Sequence, residues 1–203
     1  ADSQALQVFN FLTTDTFDIT KAKYFSLSWH PWYVKKDTIE KQWQDLIQNP
    51  LIHQAVAIGE CGLDALHQAN YSAQLLAFER QIALANELQK PLVVHCVRAV
   101  PDCLRLLSAV AVPVIFHGVN FAYDKVKKIL DAGYFCSFGQ ALSHSKTVKE
   151  YFPRLPLQQV FFETDDEDIQ IQDVYSQASL LNKIAVESLK NQIFDQFKTV
   201  FRL

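Results

Sequence analysis

The sequence predicts an α/β protein, a TIM-like barrel in which parallel strands alternate with helices. Short apolar runs rich in Val, Ile and Phe recur along the 203 residues, separated by segments with the apolar spacing of helices. Four of these runs lead into a residue that can bind a metal: Glu60, His95, His117 and Asp165. The carboxyl ends of the strands in a parallel barrel meet at one rim. These four side chains are therefore predicted to converge there.

The first elements are two strands and a helix. LQVFNFL, at residues 6–12, and YFSLS, at residues 24–28, have the β-branched and aromatic composition of buried strands. Asp37 is a suitable N-cap for a helix over residues 37–48, and Pro50 follows the end of that helix.

The middle of the chain repeats the strand and helix pattern. Residues 54–59 form the next predicted strand, and the helix over residues 71–89 repeats its apolar side chains at helical spacing. Strand 92–96 precedes Pro101, which suits the first turn of a helix over residues 101–109.

The last predicted elements complete a count of seven strands. Gly133 is a typical C-terminal cap for the helix that begins at residue 123. The remaining predicted strands cover residues 114–117, 134–138 and 159–163, and two helices cover residues 173–189 and 191–201. Because a closed barrel needs eight strands and only helices follow the last one, the missing first strand is expected before residue 6.

Composition points to one soluble domain spanning residues 1–203. The hydrophobic content of 49% is enough for one substantial core. No stretch has the length of a membrane span and no secretory signal is found, and both observations favour a cytoplasmic protein. The favoured oligomeric state is a monomer. The net charge of −3 provides no basic field for non-specific nucleic-acid binding, although a local patch with a metal would still allow that substrate.

The four cysteines contain no Cys-x-x-Cys pair, so a structural zinc knuckle is not predicted. Cys61 and Cys96 directly follow Glu60 and His95, and alternation along a strand should point them the other way. All the cysteines are interpreted as reduced, buried, small apolar residues.

Two imidazoles and two carboxylates suit Zn, Mn, Mg or Ni better than an ion that prefers thiolates. A bridging carboxylate can hold two ions about 3.5–4 Å apart, as in two-metal hydrolases. Asp165 could bind an ion and also orient or deprotonate the attacking water. Each residue also has a simpler interpretation: Glu60 and Asp165 could cap helices, and either histidine could be hydrogen-bonded in a core or loop.

Several ordered motifs resemble those of the TatD family of metal-dependent deoxyribonucleases. AVAIGECGLD is similar to the family's V-G-E-x-G-L-D segment, PLVVHCVRA to its I-H-x-R-x-A segment, and VFFETD to its L-x-x-E-T-D strand. SLSWHP, VIFHG and YFCSFG resemble further family motifs in the same order. The resemblance extends from about residue 24 to the C-terminus.

This resemblance implies a barrel of the metal-dependent hydrolase type and phosphodiester hydrolysis, typically of DNA, with up to two divalent ions. Glu60 matches the bridging carboxylate, and His95 and His117 match ligands of one ion. Asp165 matches the aspartate that binds the other ion and positions water. His30 matches the histidine near the substrate phosphate.

Arg98 is a candidate phosphate contact, although it lies one place later than the family's arginine. The family's His-x-His pair on the first strand is absent from this chain, in agreement with the strand count. Trp32 stands where many members have a second histidine. Trp29 and Trp32 could stack on a base, but packing of the loop against the rim is the preferred interpretation.

The other three histidines, His53, His67 and His144, fall on predicted helix ends or loops and receive no role. The favoured function is a deoxyribonuclease acting on DNA ends or single strands. Two alternatives stay open: a related hydrolase of amides or esters, and a degenerate barrel that binds a metal or another ligand without catalysis.

Overall fold

The computed structural model describes residues 7–12 and 22–203, and the chain divides into two compact units, one ending at residue 114 and the other beginning at residue 115. The predicted α/β class is confirmed: seven strands are found in the described residues, and every pairing within each unit is parallel. The strands are β1 Val8–Leu12, β2 Tyr24–Ser28, β3 Ala57–Asp64, β4 Leu92–Val97, β5 Val114–Phe116, β6 Phe135–Phe138 and β7 Val160–Phe162. The α-helices are α1 Ile39–Ile47, α2 Tyr71–Leu88, α3 Val100–Leu106, α4 Tyr123–Asp131, α5 Ala141–His144, α6 Lys146–Tyr151, α7 Ile171–Asn182 and α8 Val186–Phe201.

The first unit is built on strands β1 to β4, which lie side by side in chain order. Helix α2 packs against β3 and contributes the fully buried Phe78 to a core that also contains Ile58, Leu63 and Leu92. Parallel strands need crossover connections, and burial by a covering helix explains their nearly continuous apolar sequences.

Strand β3 is longer than the sequence predicted. It continues five residues past the predicted end at residue 59, so Glu60 lies inside the strand. Its register with β4 changes between Ile58, which pairs with Leu92, and Cys61, which pairs with Val94. One extra residue on β3 forms a bulge, and bulges of this kind redirect side chains near functional sites.

The second unit contains β5, β6 and β7, paired in that order. Its core is rich in aromatic residues: Phe116, Phe138 and Phe152 are fully buried, and the rings of Phe138 and Phe152 meet edge to face with centroids 5.3 Å apart. Gly133 has φ +83° just after α4, as its predicted capping role requires.

Three predicted features of the helices differ from the structure. Thr38 rather than Asp37 is the N-cap of α1, because a short 3-10 helix occupies residues 36–38. The break near the C-terminus lies at Lys183, which adopts a left-handed φ of +55° and ends α7, instead of at residue 190. Helices α5 and α6 were not predicted, because four and six residues are too few to establish a periodic pattern.

Strand β1 begins at Val8. The predicted start at residue 6 lies outside the described residues, and so does the position where the missing first strand was expected. All four cysteines are buried and none forms a disulfide, as predicted. Among the described helices, none combines the length and apolarity required to cross a membrane.

Candidate metal centre

Glu60 is the centre of the polar site in the first unit. Its side chain is 12% exposed, and its Oε1 accepts a 2.7 Å hydrogen bond from Nδ2 of Asn10 on β1. The amide of Asn10 is oriented in turn by the hydroxyl of Ser26 on β2, which donates to Asn10 Oδ1 at 2.5 Å. A second hydroxyl, that of Ser28, donates to the Glu60 backbone carbonyl at 2.7 Å. Polar residues of two neighbouring strands therefore hold this carboxylate in one orientation.

Two histidines face the other carboxylate oxygen. His30 Nε2 lies 3.5 Å from Glu60 Oε2, and His95 Nδ1 lies 3.9 Å from the same atom. One ligand atom from each of the three side chains falls within 4.8 Å of the others, and we call this group the Glu60 cluster. The three side chains are between 9% and 12% exposed. A set of two imidazoles and one carboxylate suits Zn²⁺, Mn²⁺ or Ni²⁺.

The elements that carry these ligands explain their proximity. His95 lies on β4, and the parallel register pairs it with Gly62, two residues beyond Glu60 on β3. His30 follows β2 and precedes Pro31, in a loop where its Nδ1 accepts a hydrogen bond from the Trp32 backbone N–H at 3.2 Å. That bond leaves the Nε2 of His30 to carry the proton of the neutral ring.

Asp64 is a polar residue of the site that the sequence interpretation missed. It ends β3, is 2% exposed, and accepts a 2.6 Å hydrogen bond from Nε1 of Trp32. His95 Nε2 lies 3.5 Å from the same carboxylate. Burial opposes ionisation of Asp64, but its hydrogen bonds outweigh burial and hold the pKa of the carboxyl below its usual value. The Asp in the motif GECGLD was the available signal.

The second unit contains a group of polar side chains at the ends of β5 and β7. His117 directly follows β5 and is 9% exposed, and its Nδ1 lies 3.9 Å from Glu163 Oε1 and 4.0 Å from Asp165 Oδ2. We call these three residues the Glu163 cluster. Asp165 is exposed and has a left-handed φ of +50°.

Glu163 is the second residue that the sequence interpretation missed. Its Oε1 accepts a 2.5 Å hydrogen bond from the Gly118 backbone N–H, and the Ser137 hydroxyl also bonds to it. Burial raises the pKa of this carboxyl, and the nearby His117 works in the opposite direction. The signal was present in VFFETD, where Glu163 directly follows β7.

A cavity of about 440 Å³ lies next to the Glu163 cluster. It is lined by Glu163 and Asp165 and by other polar side chains, including those of Asn120, Gln140 and His144. His144, which received no role from the sequence, therefore faces a space of the size that a small ligand occupies.

The remaining predicted residues take different positions. Arg98 is exposed and follows β4 with a left-handed φ of +52°. Trp29 is 3% exposed and packs in the core, whereas Trp32 is 47% exposed beside His30 and donates its indole N–H to Asp64. The two tryptophans that flank His30 in the sequence thus have separate roles.

Comparison with known proteins identifies the family. The TatD related DNase family matches residues 13–202, nearly the whole chain. The chain belongs to this family. The TatD resemblance of the sequence motifs is thereby confirmed, and the chain is a TatD family metal-dependent hydrolase.

Two curated relatives illustrate the range of similarity. An uncharacterized metal-dependent hydrolase from Methanocaldococcus jannaschii is 29% identical over 184 residues, which is 84% of this chain and 72% of the relative. A TatD protein from Pantoea, named a 3'-5' ssDNA/RNA exonuclease, is 27% identical over 181 residues, covering 74% of this chain and 67% of that protein.

Solved TatD structures share the fold. The crystal structure of the TatD homolog YjjV from Escherichia coli K12 superposes with a TM-score of 0.78 at 19% identity, covering 89% of this chain and 77% of that one. A TatD family hydrolase from Entamoeba histolytica gives a TM-score of 0.73 at 16% identity, covering 87% and 74%. The predicted TIM-like fold class of the TatD hydrolases is confirmed by these neighbours.

Proposed function

We propose that this TatD family chain is a divalent-metal-dependent nuclease that hydrolyses phosphodiester bonds of DNA ends or single strands. The observation that carries the proposal is the Glu60 cluster, in which two buried imidazoles face one carboxylate oxygen within ligand distance of each other. Membership in a family described as TatD related DNase supplies the reaction class.

Glu60 and His95 in the first unit and His117 and Asp165 in the second unit would be the ligands of up to two divalent ions. The donor set of nitrogen and oxygen atoms fits Zn, Mg, Mn or Ni. None of the proposed ligands is a cysteine, and all four cysteines are buried. When bound, such ions supply an ionised water nucleophile and neutralise charge on the phosphate.

The side chains of the chain itself would perform three tasks. Asp165 would accept a proton from the attacking water and orient it, as a general base. Within the Glu60 cluster, His30 is proposed as the phosphate contact rather than as a metal ligand, because its Nε2–H can donate to a phosphate oxygen. Arg98 would contact the phosphate from the exposed position after β4. The cavity beside Asp165 is the proposed place for the terminal nucleotide.

The preference for ends or single strands is supported by charge. The net charge is −3, and the four acidic residues from Asp165 to Asp168 are exposed. Asp165 and Glu167 also line the cavity. Acidic side chains repel the closely spaced phosphates of a duplex more than those of a flexible strand. The Pantoea relative is named for activity on single-stranded DNA and RNA, which supports the same substrate class.

The test measures metal content and nuclease activity together. Purified protein is analysed for bound metals and then assayed with end-labelled single-stranded and duplex DNA, with and without a chelator. We expect tightly bound divalent metal, shortening of the single strand, and loss of cleavage on chelation. Glu60→Ala should lose both the metal and the cleavage.

Glu79→Ala is the matched control, because Glu79 is exposed on α2 and is not part of either cluster. It should retain both properties. Hydrolysis of esters or amides without cleavage of nucleic acid would identify the alternative hydrolase, and metal binding without any hydrolysis would identify a binding protein. Unchanged turnover in Glu60→Ala would contradict the proposed site.

A further inference from the structure

The carboxylate of Asp64 is surrounded by hydrogen-bond donors at the end of β3. Its Oδ2 accepts from Trp32 Nε1 at 2.6 Å, and its Oδ1 accepts from the Leu66 backbone N–H at 2.8 Å. His67 Nδ1 lies 3.2 Å and His95 Nε2 lies 3.5 Å from Oδ2. A carboxylate that is 2% exposed is thus stabilised by several partners, which compensate for the cost of its burial.

The backbone around Asp64 is held independently of His95. The Asp64 N–H donates to Oε1 of the buried Gln74 at 2.8 Å, and Gln74 Nε2 donates to the Asp64 carbonyl at 3.2 Å. Together with the bonds from Trp32 and Leu66, these contacts fix the position of the carboxylate. These contacts hold the carboxylate in place without a contribution from His95.

The imidazole of His95 lies between two carboxylates. Its Nε2 faces Asp64 Oδ2 at 3.5 Å, and its Nδ1 faces Glu60 Oε2 at 3.9 Å. An ionised carboxylate only accepts hydrogen bonds, so the contact with Asp64 favours the proton on Nε2. In the neutral ring, the lone pair then resides on Nδ1, on the side of Glu60.

We propose that Asp64 is a positioning residue that fixes the Nε2-protonated tautomer of His95 and directs the Nδ1 lone pair at the ion shared with Glu60. This inference rests on the proposed function, in which His95 is a ligand. Histidine ligands commonly donate their second ring N–H to a carboxylate, which sets both the tautomer and the orientation of the ring. Asp64, whose Oδ2 lies 3.5 Å from His95 Nε2, is placed to act as that partner here.

Trp32 has a supporting role in this arrangement. Its indole N–H binds the same oxygen, Oδ2, that faces His95, and its ring meets the His95 ring edge to face with centroids 5.6 Å apart. Removing the N–H while keeping an aromatic ring should loosen Asp64 without removing the carboxylate. Trp32→Phe is therefore expected to have a smaller effect than loss of Asp64.

The primary test is the tautomer of His95 in the metal-free wild-type protein, measured by nitrogen NMR of the imidazole rings. The spectrum is recorded well above the usual imidazole pKa of about 6.5, so that the ring is neutral. Loss of one set of signals in His95→Gln assigns the ring. We expect the proton on Nε2, and a proton on Nδ1 would overturn the proposal without any variant of Asp64.

The second measurement is the affinity for Zn²⁺ and Mn²⁺ by titration calorimetry. Asp64→Asn should weaken binding about 10–100-fold and shift the tautomer population of His95. Asp102→Asn is the matched control, because Asp102 also accepts hydrogen bonds in the first unit, from Tyr71 and Arg105, and lies outside the Glu60 cluster. It should bind both ions as the wild type does. Thermal melting confirms that each variant is folded.

The outcomes separate this inference from the proposed function. Wild-type protein that binds the ions with the expected tautomer but cleaves no nucleic acid would refute the nuclease proposal alone. The opposite result is cleavage by the wild type together with an Asp64→Asn variant that has the wild-type metal affinity and the wild-type tautomer of His95. That result would refute the role of Asp64 alone.

Discussion

Gly62 on β3 lies directly against the backbone of His95 on β4. A Cβ atom built at Gly62 would be 2.1 Å from the His95 carbonyl oxygen, and the residue has φ +135°, where side chains are rarely accommodated. Two candidate metal ligands, Glu60 and His95, are carried by these strands. The close approach of the strands therefore depends on a residue without a side chain.

Gly62→Ala should separate β3 from β4 and displace His95 from Glu60. We expect a loss of about 2–5 kcal/mol in the free energy of unfolding, from steric overlap and backbone strain together, and loss of bound metal. Urea denaturation and metal analysis measure the two effects. Gly133→Ala is the control for strain alone, because Gly133 has φ +83° but nothing within 4 Å of its built Cβ. Equal losses in the two variants would show that the strand contact is unimportant.

Glu163→Gln tests the carboxylate between His117 and Asp165. The amide would keep the size of the side chain and one oxygen that can accept from the Gly118 N–H, but it would remove the negative charge 3.9 Å from His117 Nδ1. We expect Mn²⁺ affinity to fall about 10–100-fold, as measured by calorimetry. Glu167→Gln is the control, since Glu167 is exposed and lines the same cavity. Wild-type affinity in Glu163→Gln would show that this carboxylate does not support the ligands.

His144→Ala tests whether substrate enters the cavity beside the Glu163 cluster. Loss of one hydrogen bond should raise KM about fivefold, which corresponds to about 1 kcal/mol, while metal content stays constant. Steady-state kinetics with single-stranded DNA measure the change. His53→Ala is the comparison, because His53 is exposed in the first unit and lines a different cavity. Identical KM values for the two variants would place the substrate elsewhere.

Lys90 ties the loop before β3 to the end of α2. Its ammonium donates to the backbone carbonyls of Ile52, His53 and Ala55 at distances of 2.8, 2.8 and 2.5 Å. Lys90→Met should leave these carbonyls without the donor and destabilise the protein by about 2–3 kcal/mol in urea denaturation. Lys146→Ala should change stability by less than about 0.5 kcal/mol, since its side chain is 90% exposed. A neutral result for Lys90→Met would mean that water replaces the ammonium.

The buried thiols should resist modification in the native protein. Burial raises the pKa of Cys61 and Cys136, and a hydrogen bond with Cys96 together with burial raises that of Cys103. A thiol reagent should therefore label none of the four cysteines in the folded state, and raising the pH from 7 to about 9 should not change this. In denaturant, all four should react.

The same shifts have a consequence for stability at alkaline pH. Because burial raises the folded-state pKa of the Cys61 and Cys136 thiols above their ordinary value of 9.0, the unfolded chain loses thiol protons first as the pH rises. The contribution of these groups is fully present below pH 9.0 and declines as the pH rises beyond it. Urea denaturation at a series of pH values measures the decline, and stability that increases above pH 9.0 would contradict it.

The sequence by itself determined the α/β class, the seven strands of the described chain, and the family. These follow from local patterns: strand and helix periodicities depend on neighbouring residues, and the motifs around Glu60, His95 and Asp165 are contiguous. The sequence also identified Glu60 and His95 as site residues, and the structure brings them together with His30.

Only the tertiary structure decided the surroundings of those residues. The bulge next to Glu60 depends on the register between β3 and β4. Asn10, which donates a hydrogen bond to Glu60, lies 50 positions away in the chain. Asp64 lies on β3, whereas His95, which it faces, lies on β4. A hydrogen bond between residues 50 positions apart leaves no periodic signal, because it is formed by strand pairing rather than by local conformation.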